Sequence, residues 1–193
     1  MTQTTAPRQL AERIKAVALE VGALTFGDYV LASGQRSAYY FDGRMLTLSA
    51  RGAALVGEAL LPVVRVSGAE AIGGPTLGAD PMVTAVSLFS AQDGGAALDA
   101  FIVRKGEKDH GTGKLIEGPL ARESKVAIVD DACSTGGSLI HAVGAAEAAG
   151  HEVVLVACIL DRNQGGGDYF RNRGYAFAAL LTADAEGNIT VAD

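Results

Sequence analysis

Residues 125–138 read KVAIVDDACSTGGS, and their order decides the fold. Val126-Ala127-Ile128-Val129 is an apolar run without alternation, which is what a strand buried on both faces requires. Asp130 and Asp131 follow at its C-terminal end. Ser134-Thr135-Gly136-Gly137-Ser138 then makes a turn of small and hydroxyl residues leading into a helix predicted over 137–149. Backbone N–H groups in such a turn, at the positive end of a helix, can surround a phosphate. Two ionised neighbours at a strand end repel each other unless a ligand, a metal or water compensates, and sugar hydroxyls can do so. The stretch therefore predicts a ribose 5-phosphate ligand. The carboxylate pair alone also fits a solvated turn or a helix cap.

Competing nucleotide motifs fail on inspection. KDHGTGK at 108–114 ends in Gly-Lys like a P-loop, but it starts with lysine, and Leu115 stands where that loop needs a metal-binding hydroxyl. No strand leads into a GxGxxG turn, which disfavours a dinucleotide fold.

On either side of 125–138 strands and helices alternate. Strand 69–73 precedes helix 79–92, strand 97–103 precedes a long loop, and strand 152–160 precedes irregular glycines and a strand at 175–181. This pattern predicts an α/β fold with a parallel β-sheet core flanked by helices. Upstream, Leu10, Ile14, Val17 and Val21 share one face of a helix over 7–21, with Pro7 in its first turn and Gly22 as its C-terminal cap. Residues 28–48 carry turn and strand signals and form a small hood over the sheet. Ser49 offers an N-cap to a helix reaching about Val64. The expectation is a single domain over 1–193, with residues up to about 48 supplying the N-terminal helix and hood.

The 193 residues are 49% hydrophobic, ample for one core. A net charge of −6 argues against nucleic-acid binding through a general basic surface, so an anion site must be local. Such a place exists at 104–114, where Arg104, Lys105, Lys108, Lys114 and His110 are offset only by Glu107 and Asp109. Residues 105–121 lack periodicity and follow a strand of the same sheet, which favours a cationic lid over a plain surface loop. No apolar stretch is long enough to span a membrane, and MTQTTAPRQLAER has no apolar signal core, so a cytoplasmic protein is expected. Cys133 and Cys158 suit a reducing compartment. Cys158 reads as a buried thiol, and Cys133 as a space-filler in the ligand turn.

Residues 125–138 also closely resemble the signature of phosphoribosyltransferases that use phosphoribosyl pyrophosphate (PRPP). VRKGEKDHGTGKLIEG at 103–118 resembles the catalytic loop of the orotate phosphoribosyltransferase family, in which an Arg-Lys pair precedes a Lys-Asp/Glu-His-Gly cluster. YVLASGQRSAYYFDGRMLTLS at 29–49 is similar to that family's N-terminal segment. Gly73-Gly74-Pro75 is similar to its turn on the pyrophosphate side, and Leu160-Asp161-Arg162 to a late strand edge. The matches lie in the family's order from about residue 20 to 165.

The resemblance implies a type I phosphoribosyltransferase fold, with orotate and PRPP giving orotidine 5′-monophosphate and pyrophosphate, and Mg²⁺ carried by PRPP rather than by a dedicated protein site. Displacement at the anomeric carbon has oxocarbenium character while negative charge gathers on pyrophosphate, so cations placed there lower the barrier selectively. Arg104, Lys105, Lys108 and His110 are the candidates, Lys108 foremost, and His110 can also donate a proton. Asp130 and Asp131 are expected on the ribose hydroxyls, where as anions they also aid the positively charged sugar. The stretch Ala132, Cys133, Ser134, Thr135, Gly136, Gly137 and Ser138 is expected around PRPP, its 5-phosphate held by 134–138. For orotate the likeness points to Arg162, to Tyr40 and Phe41 as an apolar wall, and to Ser134, with Arg44 a weaker candidate. It also implies a homodimer whose 104–114 loop reaches the neighbouring active site.

Some members carry lysine where this chain has Ala32 and roughly Leu77 or Gly78, which puts pyrophosphate contacts there in doubt. Ala132-Cys133-Ser134 stands where bulkier apolar residues and threonine are more familiar. Two alternatives stay open at this point. One is a phosphoribosyltransferase for a purine base; the other is a non-catalytic PRPP-sensing regulator, for which no DNA-binding segment or basic surface is evident.

Overall fold

The computed structural model describes residues 5–30, 34, 36–106 and 115–192. Helix α1 (Thr5–Glu20) buries Ala11, Ile14, Val17 and Ala18 along one face. A two-stranded antiparallel sheet of β1 (Leu24–Val30) and β2 (Arg36–Phe41) forms the hood and leads into the short α2 (Gly43–Thr47). Helix α3 (Ala50–Val66) starts at Ser49, whose hydroxyl accepts the Gly52 N–H at 3.1 Å, the cap its sequence predicts.

The main body alternates β3 (Ala71–Pro75), α4 (Asp80–Ser90), β4 (Asp99–Val103), β5 (Ile116–Glu117), β6 (Lys125–Cys133), α5 (Gly137–Ala148), β7 (Glu152–Asp161), α6 (Gly166–Arg171), β8 (Phe177–Ala183) and β9 (Ile189–Val191). The strands form one sheet in the order β5-β4-β3-β6-β7-β8-β9. β4, β3, β6, β7 and β8 run parallel, as expected, but the sheet is not purely parallel: β5 and β9 close its two edges antiparallel. Two or three residues are too short to show a period in sequence, and an antiparallel neighbour needs only a short return connection. The glycines expected to be irregular after β7 begin α6 instead.

Helices cover both sheet faces. On one, Ile72, Val129 and Leu160 belong to a core with Ile14, Leu60 and Met82. Tyr39, Phe41 and Leu46 join it, fastening the hood to the body. On the other, Phe101, Ile128 and Cys158 belong to a core with Leu139, Val143 and Phe170. Among the described residues no helix is long and apolar enough to cross a membrane.

The strand order reverses direction at β3 and β6. After β3 the chain steps outward to β4, and after β6 it steps the other way to β7 and β8. Beyond such a switch point, at the carboxyl ends of the strands, neighbouring loops diverge and leave a crevice. The register sharpens this. β6 pairs with β7 as far as Cys133↔Asp161, but with β3 only as far as Ile128↔Gly73. The end of β6 therefore projects past its β3 partner, carrying Asp130 and Asp131 along the crevice.

Candidate active site

A cavity of about 330 Å³ opens at this crevice. Its walls are Tyr40, Phe41, Asp42 and Arg44 from the hood and the start of α2; Pro75 at the end of β3 and 76–78 after it; Lys105 after β4; 130–132 at the end of β6; Ser138 in α5; and Arg162 after β7. Strands from both sides of the switch point thus deliver anionic and cationic groups to one space.

Asp130 is only 6% exposed, and its Oδ1 accepts the Asp131 N–H at 2.9 Å. Burial, reinforced by the negative charge of Asp131, pushes its carboxyl up to about 8. Burial also raises Asp131, against the opposing effect of hydrogen bonding with Asp130. Both carboxyls therefore hold a proton more readily than free carboxylates do. Gly43 and Gly78 make room for the pair: a Cβ at Gly43 would fall 2.6 Å from Asp131 Oδ2, and one at Gly78 2.6 Å from Asp130 Oδ1. Position 78 therefore has no space for a lysine while the carboxylates stay where they are. Leu77 is 66% exposed, and Thr76 N–H donates to the Val103 carbonyl at 3.0 Å.

At the turn after β6 Gly136 adopts φ +85° and precedes α5 without a side-chain cap. The first N–H groups of α5 thus lack a capping side chain and are available to an anion. Behind the turn, the Gly166 N–H donates to the Ser134 carbonyl at 2.9 Å, and a Cβ at Gly166 would lie 2.6 Å from that oxygen. This close approach explains a glycine that in sequence reads only as part of an irregular stretch.

The predicted residues divide into three groups. Tyr40, Phe41, Lys105, Asp130, Asp131, Ala132, Ser138 and Arg162 meet at the cavity. Tyr40 is 44% exposed and tilts toward Tyr29 with ring centroids 5.7 Å apart, whereas Phe41 is buried in the core and is less of an open wall than expected. Arg162 Nη2 donates to the Phe41 carbonyl at 3.3 Å, its guanidinium lies over the Tyr39 ring, and its buried Nε has no protein partner.

Ser134, Thr135, Gly136 and Gly137 shape the turn but do not line this cavity. Nor does Cys133, whose thiol is packed in the core and pushed up to about 12 by burial; its carbonyl accepts the Arg162 N–H at 2.8 Å. Arg104 does not line it either, because its guanidinium turns to Glu117 at 3.1 Å, an acid close in sequence that competes for it. Lys108 and His110, with Lys114 and Ala32, lie outside the described residues.

Sequence reasoning missed Asp42 and His141. Asp42 caps α2 by accepting the Arg44 N–H and pairs with the Arg44 guanidinium at 3.0 Å, which holds its carboxyl below the usual range. The Asp-x-Arg spacing was its available signal. His141, on α5, reaches the Arg104 carbonyl with Nε2 at 2.8 Å, and nothing local in the sequence indicates it.

No family model matches the sequence. The chain is 39% identical over 188 residues to an orotate phosphoribosyltransferase of Rhodopirellula baltica, covering 94% of this chain and 96% of that one. It is 44% identical over 157 residues to the orotate phosphoribosyltransferase of a Nostoc species, covering 81% and 75%. A crystal structure of Mycobacterium tuberculosis orotate phosphoribosyltransferase in complex with PRPP superposes with a TM-score of 0.71 at 32% identity, covering 91% of this chain and 95% of that one.

Proposed function

The chain belongs to the orotate phosphoribosyltransferase family, and on that premise we propose how its own residues divide the work. It transfers the 5-phosphoribosyl group of PRPP to orotate in pyrimidine biosynthesis: a bond from an orotate ring nitrogen to the anomeric carbon forms as the bond to pyrophosphate breaks. One observation carries the assignment of roles. The carboxylate pair at the end of β6, Lys105 after β4, Ser138 in α5 and Arg162 beside the hood surround a single cavity at the switch point.

Asp130 and Asp131 accept hydrogen bonds from the ribose hydroxyls, and the negative charge carried by the pair favours the positive charge that develops on the sugar. The turn at 134–138 holds the 5-phosphate through the start of α5, chiefly by backbone N–H groups, with the Cys133 thiol excluded. Lys105 faces the pyrophosphate end, and Lys108 and His110 complete that cationic set, Lys108 giving the largest effect and His110 a proton. Arg104 supports this end through its backbone while its guanidinium rests on Glu117. Arg162 lines the cavity, and its guanidinium is a donor for the polar edge of orotate, with Tyr40 beside it and Ser134 nearer the turn. Arg44 remains a weaker candidate because Asp42 occupies it.

Mg²⁺ fits this donor set as an ion carried on PRPP. Among the described residues no group of three metal-ligating side chains exists, and Mg²⁺ commonly takes one or two carboxylates together with substrate oxygens. Asp130 and Asp131 would steady it through PRPP, and once bound it supplies positive charge to the departing pyrophosphate. The free thiols of Cys133 and Cys158 are consistent with a cytoplasmic enzyme. Exposed Leu48, Met45 and Leu88 around α2 and α4 offer an apolar surface for the homodimer in which the 104–114 loop reaches the neighbouring site.

The test is to incubate the protein with PRPP, Mg²⁺ and each of orotate, uracil, adenine and hypoxanthine, following nucleotide formation. Turnover with orotate alone is expected. Turnover only with a purine overturns the base assignment, and PRPP binding without turnover points to a sensor.

A further inference from the structure

Arg104 is held at three points. Its N–H donates to the Leu115 carbonyl at 2.9 Å, its guanidinium pairs with Glu117 at 3.1 Å, and its carbonyl accepts from His141 Nε2 at 2.8 Å. Leu115 and Glu117 belong to the return segment that includes β5, so they only close the base of the loop on itself. His141 comes from outside, on α5, three residues beyond Ser138 of the cavity wall. The carbonyl it grips belongs to the planar peptide joining residues 104 and 105, so pinning that oxygen fixes the plane from which Lys105 departs. Lys105 is the cavity-lining cation of the loop base.

We propose that His141 is a positioning residue for the transfer reaction: it ties the Arg104–Lys105 peptide to the phosphate-binding helix and so aims Lys105 at the pyrophosphate of PRPP. This rests on the proposed role of Lys105. Because the tie runs from α5, the helix that receives the 5-phosphate, it sets the spacing between the two phosphate-binding ends of the cavity. Misplacing a charge aimed at the leaving group weakens the transition state more than it weakens orotate binding.

Steady-state kinetics with varied PRPP and varied orotate test the proposal on wild type, His141→Ala, His141→Gln, Lys105→Ala and the Lys105→Ala/His141→Ala double variant. Thermal melts serve as a folding control. His141→Ala is expected to lower kcat/KM for PRPP by at least about fivefold while leaving KM for orotate within about twofold. Glutamine can present an amide N–H near the position of Nε2, so His141→Gln is expected to recover most of the loss. Adding His141→Ala to Lys105→Ala is expected to cost little more, since coupled residues are non-additive. Wild-type kinetics in His141→Ala, an additive double variant, or no recovery with glutamine overturns the inference. If Lys105→Ala itself has no effect, the role of Lys105 fails, and the proposal with it.

Discussion

Asp130→Asn is expected to make the protein more stable and its chemistry worse. Asp130 is 6% exposed, and burial beside Asp131 raises its carboxyl from 3.8 to about 8. The folded protein therefore holds this proton more tightly than the unfolded chain does. Stability falls as pH rises from the unfolded value near 4 to the folded value near 8, and levels off above it. A shift of roughly 4 units at about 1.4 kcal/mol each bounds the penalty at about 6 kcal/mol. Relaxation and water entering from the open cavity reduce this to about 2–3 kcal/mol. Asparagine keeps an oxygen able to accept the Asp131 N–H while removing the buried charge. For a chain of this size about 2 kcal/mol corresponds to a rise in Tm of roughly 4–8 °C at pH 8. The assay is thermal unfolding of both proteins at pH 4.5, 6 and 8, alongside kcat/KM for PRPP. The gap in Tm should widen with pH while activity falls by about tenfold or more. Parallel pH profiles, or a less stable variant at pH 8, would refute the account of Asp130 as a destabilising charge retained for ligand binding.

Three further outcomes follow from the site. Gly78→Ala places a Cβ 2.6 Å from Asp130 Oδ1, so KM for PRPP should rise by about tenfold with little loss of Tm; an unchanged KM would show that the carboxylate pair is not held against this turn. Lys108→Ala should lower kcat by at least about tenfold without unfolding the protein, and an unchanged kcat removes Lys108 from the mechanism. Cys133 and Cys158, both buried and both raised by burial, should resist a thiol reagent in the native protein and react only on unfolding. Rapid native labelling with loss of activity would contradict this.

Much of the architecture is legible locally. The unbroken apolar run at 126–129, followed by a turn, predicts a strand covered on both faces, Ser49 caps its helix, and a carboxylate pair before a glycine turn predicts a ligand with hydroxyl and phosphate groups. These signals lie within a few residues of the structure they cause. What escaped depends on partners distant in the chain. Edge strands β5 and β9 exist because neighbouring strands offer them hydrogen bonds, not because their residues insist on being extended. Glycine at 166 is required by the Ser134 carbonyl, and glycine at 78 by Asp130. Arg104, grouped with the cations of its loop, is drawn aside by Glu117, and His141 finds the Arg104 carbonyl 37 residues away.

Sequence alone thus determined the alternation of strand and helix, the glycine turn before α5 and the identity of the charged groups, since periodicity and turn chemistry are properties of neighbours. Tertiary structure alone decided which charges converge on one cavity and what state they take there. Distance and burial, which no single segment carries, set the proton affinity of Asp130 and leave Arg162 Nε without a partner.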